Sequence, residues 1–333
     1  MATDRYAPFW NRNGVGAVML GPVEWLFRRA VTRRRARAAT VAQWIDAPVV
    51  VVGNISVGGT GKTPLVHWLV ETAAGMGFSP GIILRGHRGR VRGVMPVSAD
   101  GDPRLVGDEA VLLARRTGRP VVIGADRPAA GRTLLNTAAV DLVISDDGLQ
   151  HYALGRDVEI AVIDAGRVHG NGRCLPAGPL REPMDRLEEV DLVLGNGQWI
   201  NGCGGMFEIV PEPLRALPGT EKAGAPPTPG CAVHAVAGIG NPERFFATLK
   251  AMGFLVHAHP LGDHHAFRPD DLRFEDDAPV IVTEKDAVKC RGMAPTNSWY
   301  LPVAARPDTE TAVRLGELLG LARRRFLNRG TGS

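Results

Sequence analysis

Val49-Val50-Val51-Val52-Gly53-Asn54-Ile55-Ser56-Val57-Gly58-Gly59-Thr60-Gly61-Lys62-Thr63-Pro64 is the stretch whose reading decides the fold. Four consecutive valines predict a strand buried on both faces, the habit of a parallel sheet. A glycine-rich turn closes on Gly61-Lys62-Thr63, and Pro64, Leu65, Val66, Leu69 and Val70 then predict a helix with proline in its first turn. Strand, glycine loop, Gly-Lys-Thr and helix is the order of a P-loop. In that motif the backbone of Ser56, Val57, Gly58, Gly59, Thr60 and Gly61 wraps phosphate oxygens, and the helix start adds positive potential. Lys62 is placed for the β- and γ-phosphates and the Thr63 hydroxyl for Mg²⁺. The pattern G-x-x-x-x-G-K-[ST] departs at its first glycine, where the chain has Ser56. Gly58 and Gly59 remain to supply unusual backbone angles.

Around this stretch, short apolar runs alternate with helix-length segments. Pro80–Arg85, Val121–Gly124, Ala139–Ile144, Val158–Ile163 and Asp191–Leu194 read as strands, 90–106 as a loop, and Gly107-Asp108-Glu109 as the opening of a helix. Such alternation predicts βαβ units and a parallel sheet, with the site at the carboxyl ends of the strands. Arg85, Arg127, Asp146 and Asp147 gather at those ends. Asp146-Asp147 after a buried strand is the acidic companion a P-loop needs for Mg²⁺; the plainer reading is a solvated turn. No Asn-Lys-x-Asp motif occurs, so ATP rather than GTP is the expected nucleotide.

The expected class is α/β: a P-loop NTPase-like parallel-sheet domain and a second, smaller α/β domain joined to it by a hairpin linker. At 333 residues two domains is the better expectation. The boundaries read as a basic N-terminal segment (1–40), a nucleotide domain (41–195), a Gly/Pro-dense linker or hairpin (196–230) and a smaller domain (231–333). In that last part Ala232–Ala237, Phe254–His259 and Pro279–Val282 read as strands, and Pro242–Met252 and 308–327 as helices. His257, His259, His264 and His265 cluster there without a nearby cysteine, so one histidine in acid–base work is a better expectation than a transition-metal site.

Charge is informative once divided. Residues 1–40 hold eight arginines against Asp4 and Glu24, a net +6, whereas the whole chain is +4, leaving −2 for the rest. A basic nucleic-acid-binding body is therefore not expected. The apolar run Gly14–Phe27 is too short to span a bilayer and lacks the pattern of a secretory signal. Followed at once by Arg28, Arg29, Arg33, Arg34, Arg35 and Arg37, it predicts a segment lying on an anionic membrane surface; a helix packed on the body with a solvated arginine face is the alternative. The four cysteines are widely spaced, which fits a reducing compartment and indicates neither zinc nor disulfides.

The chain resembles the tetraacyldisaccharide 4′-kinase family from about Pro48 to about Val303. The resemblance rests on residues 53–64, Gly-Asp-Glu-Ala (107–110), Asp-Asp-Gly-Leu-Gln-His (146–151) and Arg-Asp-Val-Glu-Ile (156–160). It continues in Leu-Pro-Ala-Gly-Pro-Leu-Arg-Glu-Pro (175–183), Arg-Phe-Phe-Ala-Thr-Leu-Lys (244–250), Asp-His-His (263–265) and Thr-Glu-Lys-Asp-Ala-Val-Lys-Cys (283–290). It implies transfer of the ATP γ-phosphate to the 4′-hydroxyl of a lipid-linked substrate, tetraacyldisaccharide 1-phosphate, giving lipid IVA. It also implies a site in the cleft between two α/β domains, on the cytoplasmic face of the bacterial inner membrane. By position it makes Arg127 a phosphate-binding arginine, Asp146, Asp147 and Glu182 the Mg²⁺ neighbourhood, and Asp108 with His264 a catalytic acid–base pair. The family usually has Ser-Arg-Gly-Tyr-Gly where this chain has Leu84-Arg85-Gly86-His87-Arg88-Gly89. No obligate protein partner is implied. A membrane-attached ATP switch that binds a partner, or a soluble small-molecule kinase, are the other readings of the same residues.

Overall fold

The computed structural model describes residues 8–87, 89–219 and 224–330. Asp4, Arg5, Arg88 and linker positions 220–223 lie outside the described residues. The described residues divide into two compact units: Val210–Ala304, and a larger one formed by the described residues up to Ile209 with those from Ala305 onward.

The larger unit is built on β1 (Val49–Gly53), β2 (Pro80–Leu84), β3 (Met95–Val97), β4 (Val121–Ile123), β5 (Leu142–Asp146), β6 (Val158–Asp164), β7 (Leu192–Asn196) and β8 (Gly205–Pro211). With β14 (Val303–Pro307) they make one sheet in the order β14-β8-β7-β6-β1-β5-β2-β4-β3. Pairing is parallel from β8 through β4, and β3 joins antiparallel. The valine run is β1, buried at every position and sandwiched between β5 and β6. That central place explains why no polar residue interrupts it: both faces are covered. Helices α1 (Val15–Met19) and α2 (Gly21–Thr40) precede the sheet, and α3 (Lys62–Gly75), α4 (Pro103–Val106), α5 (Asp108–Thr117) and α6 (Arg127–Thr137) connect its strands.

The smaller unit carries a five-stranded sheet in the order β11-β10-β12-β13-β9. Its strands are β9 (Arg215–Ala216), β10 (Ala232–Ala237), β11 (Leu255–Pro260), β12 (Val280–Thr283) and β13 (Ser298–Leu301), all parallel except the β13–β9 pair. Helices α7 (Pro242–Ala251) and α8 (Glu284–Ala287) belong to it. Phe245, Phe246 and Leu249 of α7 pack with Val233, Ala235 and Ile281 in its core.

Several elements depart from the sequence reading. The Gly/Pro-dense stretch after 195 contains β8 and β9, and the expected loop 90–106 contains β3 and α4. The strand expected at Ala139–Ile144 runs Leu142–Asp146, so Asp146 is a strand residue and not part of the following turn. Helix α9 (Thr309–Gly330), placed with the smaller domain by its position in the chain, packs on α3, β6 and β1 of the larger unit. Leu315, Leu319 and Ala322 form its buried stripe. Arg325 pairs with Asp191 at 2.7 Å, and Arg329 with Asp157 at 3.1 Å. The same Asp157 oxygen accepts the Val49 N–H at 2.8 Å, so the C-terminal helix is tied to the start of the P-loop strand.

Candidate active site

The site grows from the end of β1. Gly61 stands at the N-cap of α3 with φ +84°, a left-handed angle that suits glycine. A Cβ there would also come within 2.5 Å of the Asn196 amide, which donates to the Thr60 carbonyl at 3.0 Å. Lys62 and Thr63 thus enter the first turn of α3 in a fixed direction, where the helix dipole favours anions. Across from the loop, the Val57 N–H donates to the Pro179 carbonyl at 2.9 Å and the Arg181 N–H to Ile55 at 2.6 Å. The 175–183 motif is therefore the brace of the phosphate loop, and Ser56 forms a bridge to Leu180 within it. The Arg167 guanidinium donates to the Gly59 carbonyl at the loop crest.

Lys62 Nζ lies 3.1 Å from Asn54 Oδ1 and 3.2 Å from Asp147 Oδ1. The Thr63 hydroxyl lies 3.4 Å from Asp146 Oδ2. Arg181 Nη1 reaches Asp147 Oδ2 at 3.1 Å. The two adjacent aspartates consequently have different surroundings. Asp146 is buried, and desolvation pushes its carboxyl up to about 7, with Glu109 and Asp147 adding to the rise and Lys62 opposing it. Asp147 carries a left-handed φ of +49°. Its partial burial would raise its carboxyl, but Lys62 and Arg181 overcome that and hold it well below the usual carboxylate range. Asp146 Oδ1 is buried without a hydrogen-bond partner.

Other expected site residues have different placements. Arg127 is fully buried at the start of α6; it donates to the Gly124 carbonyl at 2.7 Å and the Asp146 carbonyl at 3.2 Å. Burial draws its guanidinium down to about 10, with Asp146 and Asp147 pulling the other way. Glu182 is also fully buried, and both its oxygens are engaged: Oε2 by Gln150 at 2.6 Å and Oε1 by the Tyr152 hydroxyl. Asp108 is the buried first residue of α5, and its Oδ1 accepts the Glu109 N–H at 3.0 Å. His264 belongs to the smaller unit. It holds a left-handed φ of +61°, uncommon for a residue with a side chain, and its N–H donates to Gly238 at 2.9 Å. Its imidazole Nε2 stands 3.6 Å from Asp263 Oδ1. Of the other histidines, His265 pairs with Asp271 at 2.9 Å, while His259 meets His234 at 3.0 Å on the neighbouring strand β10. Among the described residues no group of three or more His, Cys, Asp or Glu side chains is arranged to hold a metal ion.

Arg181, Asn54, Gln150 and Asn196 were not singled out by sequence reasoning. Arg181, Asn54 and Gln150 lie inside motifs that carry the family resemblance, and the charge of Arg181 beside Glu182 is a further local signal.

A central parallel strand, a glycine loop, Lys-Thr at a helix start and a buried acidic end on the adjacent strand define a P-loop NTPase-like fold. A family model described as tetraacyldisaccharide-1-P 4′-kinase matches residues 16–319. A tetraacyldisaccharide 4′-kinase of Alkalilimnicola ehrlichii is 58% identical over 272 residues, covering 81% of this chain and 82% of its own. One of Nitrosococcus oceani is 44% identical over 324 residues, 96% of each chain. A crystal structure described as the "apo" form of LpxK from Aquifex aeolicus in complex with ATP superimposes with a TM-score of 0.77 at 26% identity. That match covers 92% of this chain and 99% of the other. The chain belongs to the tetraacyldisaccharide 4′-kinase family.

Proposed function

We propose that this chain transfers the γ-phosphate of ATP to the 4′-hydroxyl of a tetraacyldisaccharide 1-phosphate, with Mg²⁺ as the metal. The observation that carries the reading is the convergence of Lys62, Arg181 and Thr63 on Asp146-Asp147 at the mouth of the P-loop, in a chain of this family. Phosphoryl transfer needs positioning and charge neutralisation more than covalent chemistry, and this cluster offers both. Lys62 and Arg181, held in place by Asp147, are set to meet phosphate oxygens. The backbone of Gly58–Gly61 and the α3 N-terminus take the remaining negative charge.

Asp146 and Thr63 suit a magnesium ion. Both offer hard oxygen donors, and the unpartnered Asp146 Oδ1 faces no competing hydrogen bond. Two protein ligands match the habit of this metal, which takes its other oxygens from water and substrate phosphates. When bound, the ion neutralises charge developing on the phosphate oxygens. Asp146, not the doubly ion-paired Asp147, is the direct ligand in this reading. Arg127 acts behind it by fixing the Asp146 carbonyl, and Glu182 by holding Gln150 and Tyr152. The family resemblance assigns removal of the 4′-hydroxyl proton to Asp108 and His264, and a positioned base contributes about 10²–10⁴-fold.

The N-terminal segment supports an acceptor at a membrane surface. Val15 and Met19 are 78% and 75% exposed, and Val18, Trp25 and Leu26 are exposed beside the arginines of α2. Glu24 anchors that helix to the body by accepting from Arg173 at 2.9 Å and the Cys174 N–H at 2.9 Å. No described helix is long and apolar enough to cross a membrane, so the segment would lie in the interface, on the cytoplasmic side where ATP is found.

The test is incubation of the purified chain with γ-labelled ATP, Mg²⁺ and tetraacyldisaccharide 1-phosphate, with the product's phosphate located by mass spectrometry. Label at the 4′ position is the expected result. An unlabelled disaccharide beside turned-over ATP would sink the assignment.

A further inference from the structure

A lysine side chain is a flexible stem bearing a compact charge, so something must hold it where a reacting phosphate will be. In this protein Lys62 is held through Asn54, whose Oδ1 accepts from Nζ at 3.1 Å. Asn54 is completely buried. Its Nδ2 donates to the Ser56 carbonyl at 2.7 Å, which fixes the amide with its oxygen toward the ammonium. The Asn54 carbonyl in turn accepts from Gln150 Nε2 at 3.0 Å, and the other proton of that nitrogen goes to Glu182 Oε2 at 2.6 Å. Gln150 Oε1 faces Arg181 Nη1 at 3.5 Å, and Arg181 continues to Asp147, where Lys62 also ends. The contacts close a ring: Lys62, Asn54, Gln150, Arg181, Asp147 and back to Lys62. Asn54 precedes the phosphate loop and Gln150 lies on a different connection, so neither belongs to the P-loop pattern.

We propose that Asn54 and Gln150 are positioning residues that set the joint placement of Lys62 and Arg181 against the transferred phosphoryl group. This rests on the kinase reading above. Glu182 and Tyr152 belong to the same device one step further back, since Glu182 orients the Gln150 amide and Tyr152 occupies its other oxygen. Pre-set charges cost no reorganisation at the moment of reaction, and a misplacement of about 1 Å costs about 10²-fold in rate. ATP itself is held chiefly by the loop backbone, so loss of the ring should act on turnover more than on nucleotide binding.

Three variants test this on full-length protein: Asn54→Ala, Gln150→Leu and Gln150→Glu. Each is assayed for phosphate transfer and for ATP hydrolysis, with rates expressed per folded enzyme from thermal unfolding and nucleotide-binding titrations. The expected outcome is a kcat about 10–100-fold below wild type in Asn54→Ala and Gln150→Leu, with the KM for ATP changed less than about 3-fold. Gln150→Glu sets a second carboxylate against Glu182. Protonation restores a donor, so its rate relative to wild type should recover as pH falls from 8 towards 6, whereas Gln150→Leu shows no recovery. A purely structural role would lower the unfolding temperature while leaving kcat per folded enzyme and the pH profile unchanged. Asn54→Ala and Gln150→Leu within about 3-fold of wild type in kcat would overturn the proposal. If the wild type hydrolyses ATP without phosphorylating the disaccharide, the functional reading falls, and the same comparison decides the positioning role from hydrolysis rates.

Discussion

Asp146→Asn should stabilise the fold at alkaline pH while destroying activity. The Asp146 side chain is nearly inaccessible, and its carboxyl is pushed up from 3.8 to about 7, chiefly by burial. The folded state therefore holds this proton more tightly than the unfolded chain. The ionised carboxylate costs nothing below about pH 4, an increasing amount from about pH 4 to 7, and its full amount above. A rise of that size corresponds to about 4 kcal/mol at pH 8 and about 2 kcal/mol at pH 5. Asparagine avoids the charge but places an amide N–H where Asp146 Oδ1 already lacks a partner, a cost of about 1–3 kcal/mol. The net expectation is a gain of about 1–3 kcal/mol at pH 8 that vanishes or reverses at pH 5. Denaturant unfolding of both proteins at the two pH values, with chelator and without nucleotide, measures it. A stability difference that is the same at pH 5 and pH 8 would mean that burial does not raise the Asp146 carboxyl.

Lys62→Ala should lower transfer by at least about 10²-fold per folded enzyme, far more than any change in stability from its contacts with Asn54 and Asp147 accounts for; retained turnover would detach the lysine from the chemistry. Asp108→Ala and His264→Ala should each reduce kcat strongly, and the double variant should be scarcely slower than either, whereas multiplicative losses would mean independent roles. Replacing Arg33, Arg34 and Arg37, all exposed on α2, by glutamine should weaken co-sedimentation with anionic vesicles by about 10²-fold at low salt, at about 1 kcal/mol for each charge. Equal binding of the triple variant would remove α2 from the membrane interface. Leu319→Ala, in the buried stripe of α9, should cost about 2–5 kcal/mol in denaturant unfolding; a cost near zero would contradict the packing of α9 on the larger sheet.

What could be read from the sequence was what is written locally. The valine run, the glycine loop and the helix after it are contiguous, and each has its own period or turn chemistry. The same holds for α7, whose Phe245 and Phe246 meet Leu249 at i+4 and i+3, and for Asp146-Asp147, which follows a buried run. Boundaries and partners were harder. Strands β8 and β9 lie among Gly and Pro residues that mask any alternation. Helix α9 shows an apolar stripe in the sequence, but a stripe does not say which sheet it meets; chain position suggested the smaller unit and the packing is on the larger. The unlike surroundings of the two aspartates come from Arg181, Lys62 and Glu109, which are distant in sequence. Arg127 and Glu182 have the residue types of phosphate and metal contacts, but no local pattern encodes their burial or their hydrogen bonds to the Gly124 carbonyl and to Gln150.

The kinase reading stands on the coupling of ATP turnover to a lipid acceptor. The most direct measurement follows ATP loss, free phosphate and phosphorylated disaccharide in one reaction, with detergent-dispersed tetraacyldisaccharide 1-phosphate in excess. The expected result is one phosphate on the 4′-hydroxyl for each ATP consumed, with little free phosphate and no turnover when the acceptor lacks that hydroxyl. ATP consumption matched by free phosphate, at a rate indifferent to the acceptor, would contradict it and favour an ATP-driven switch.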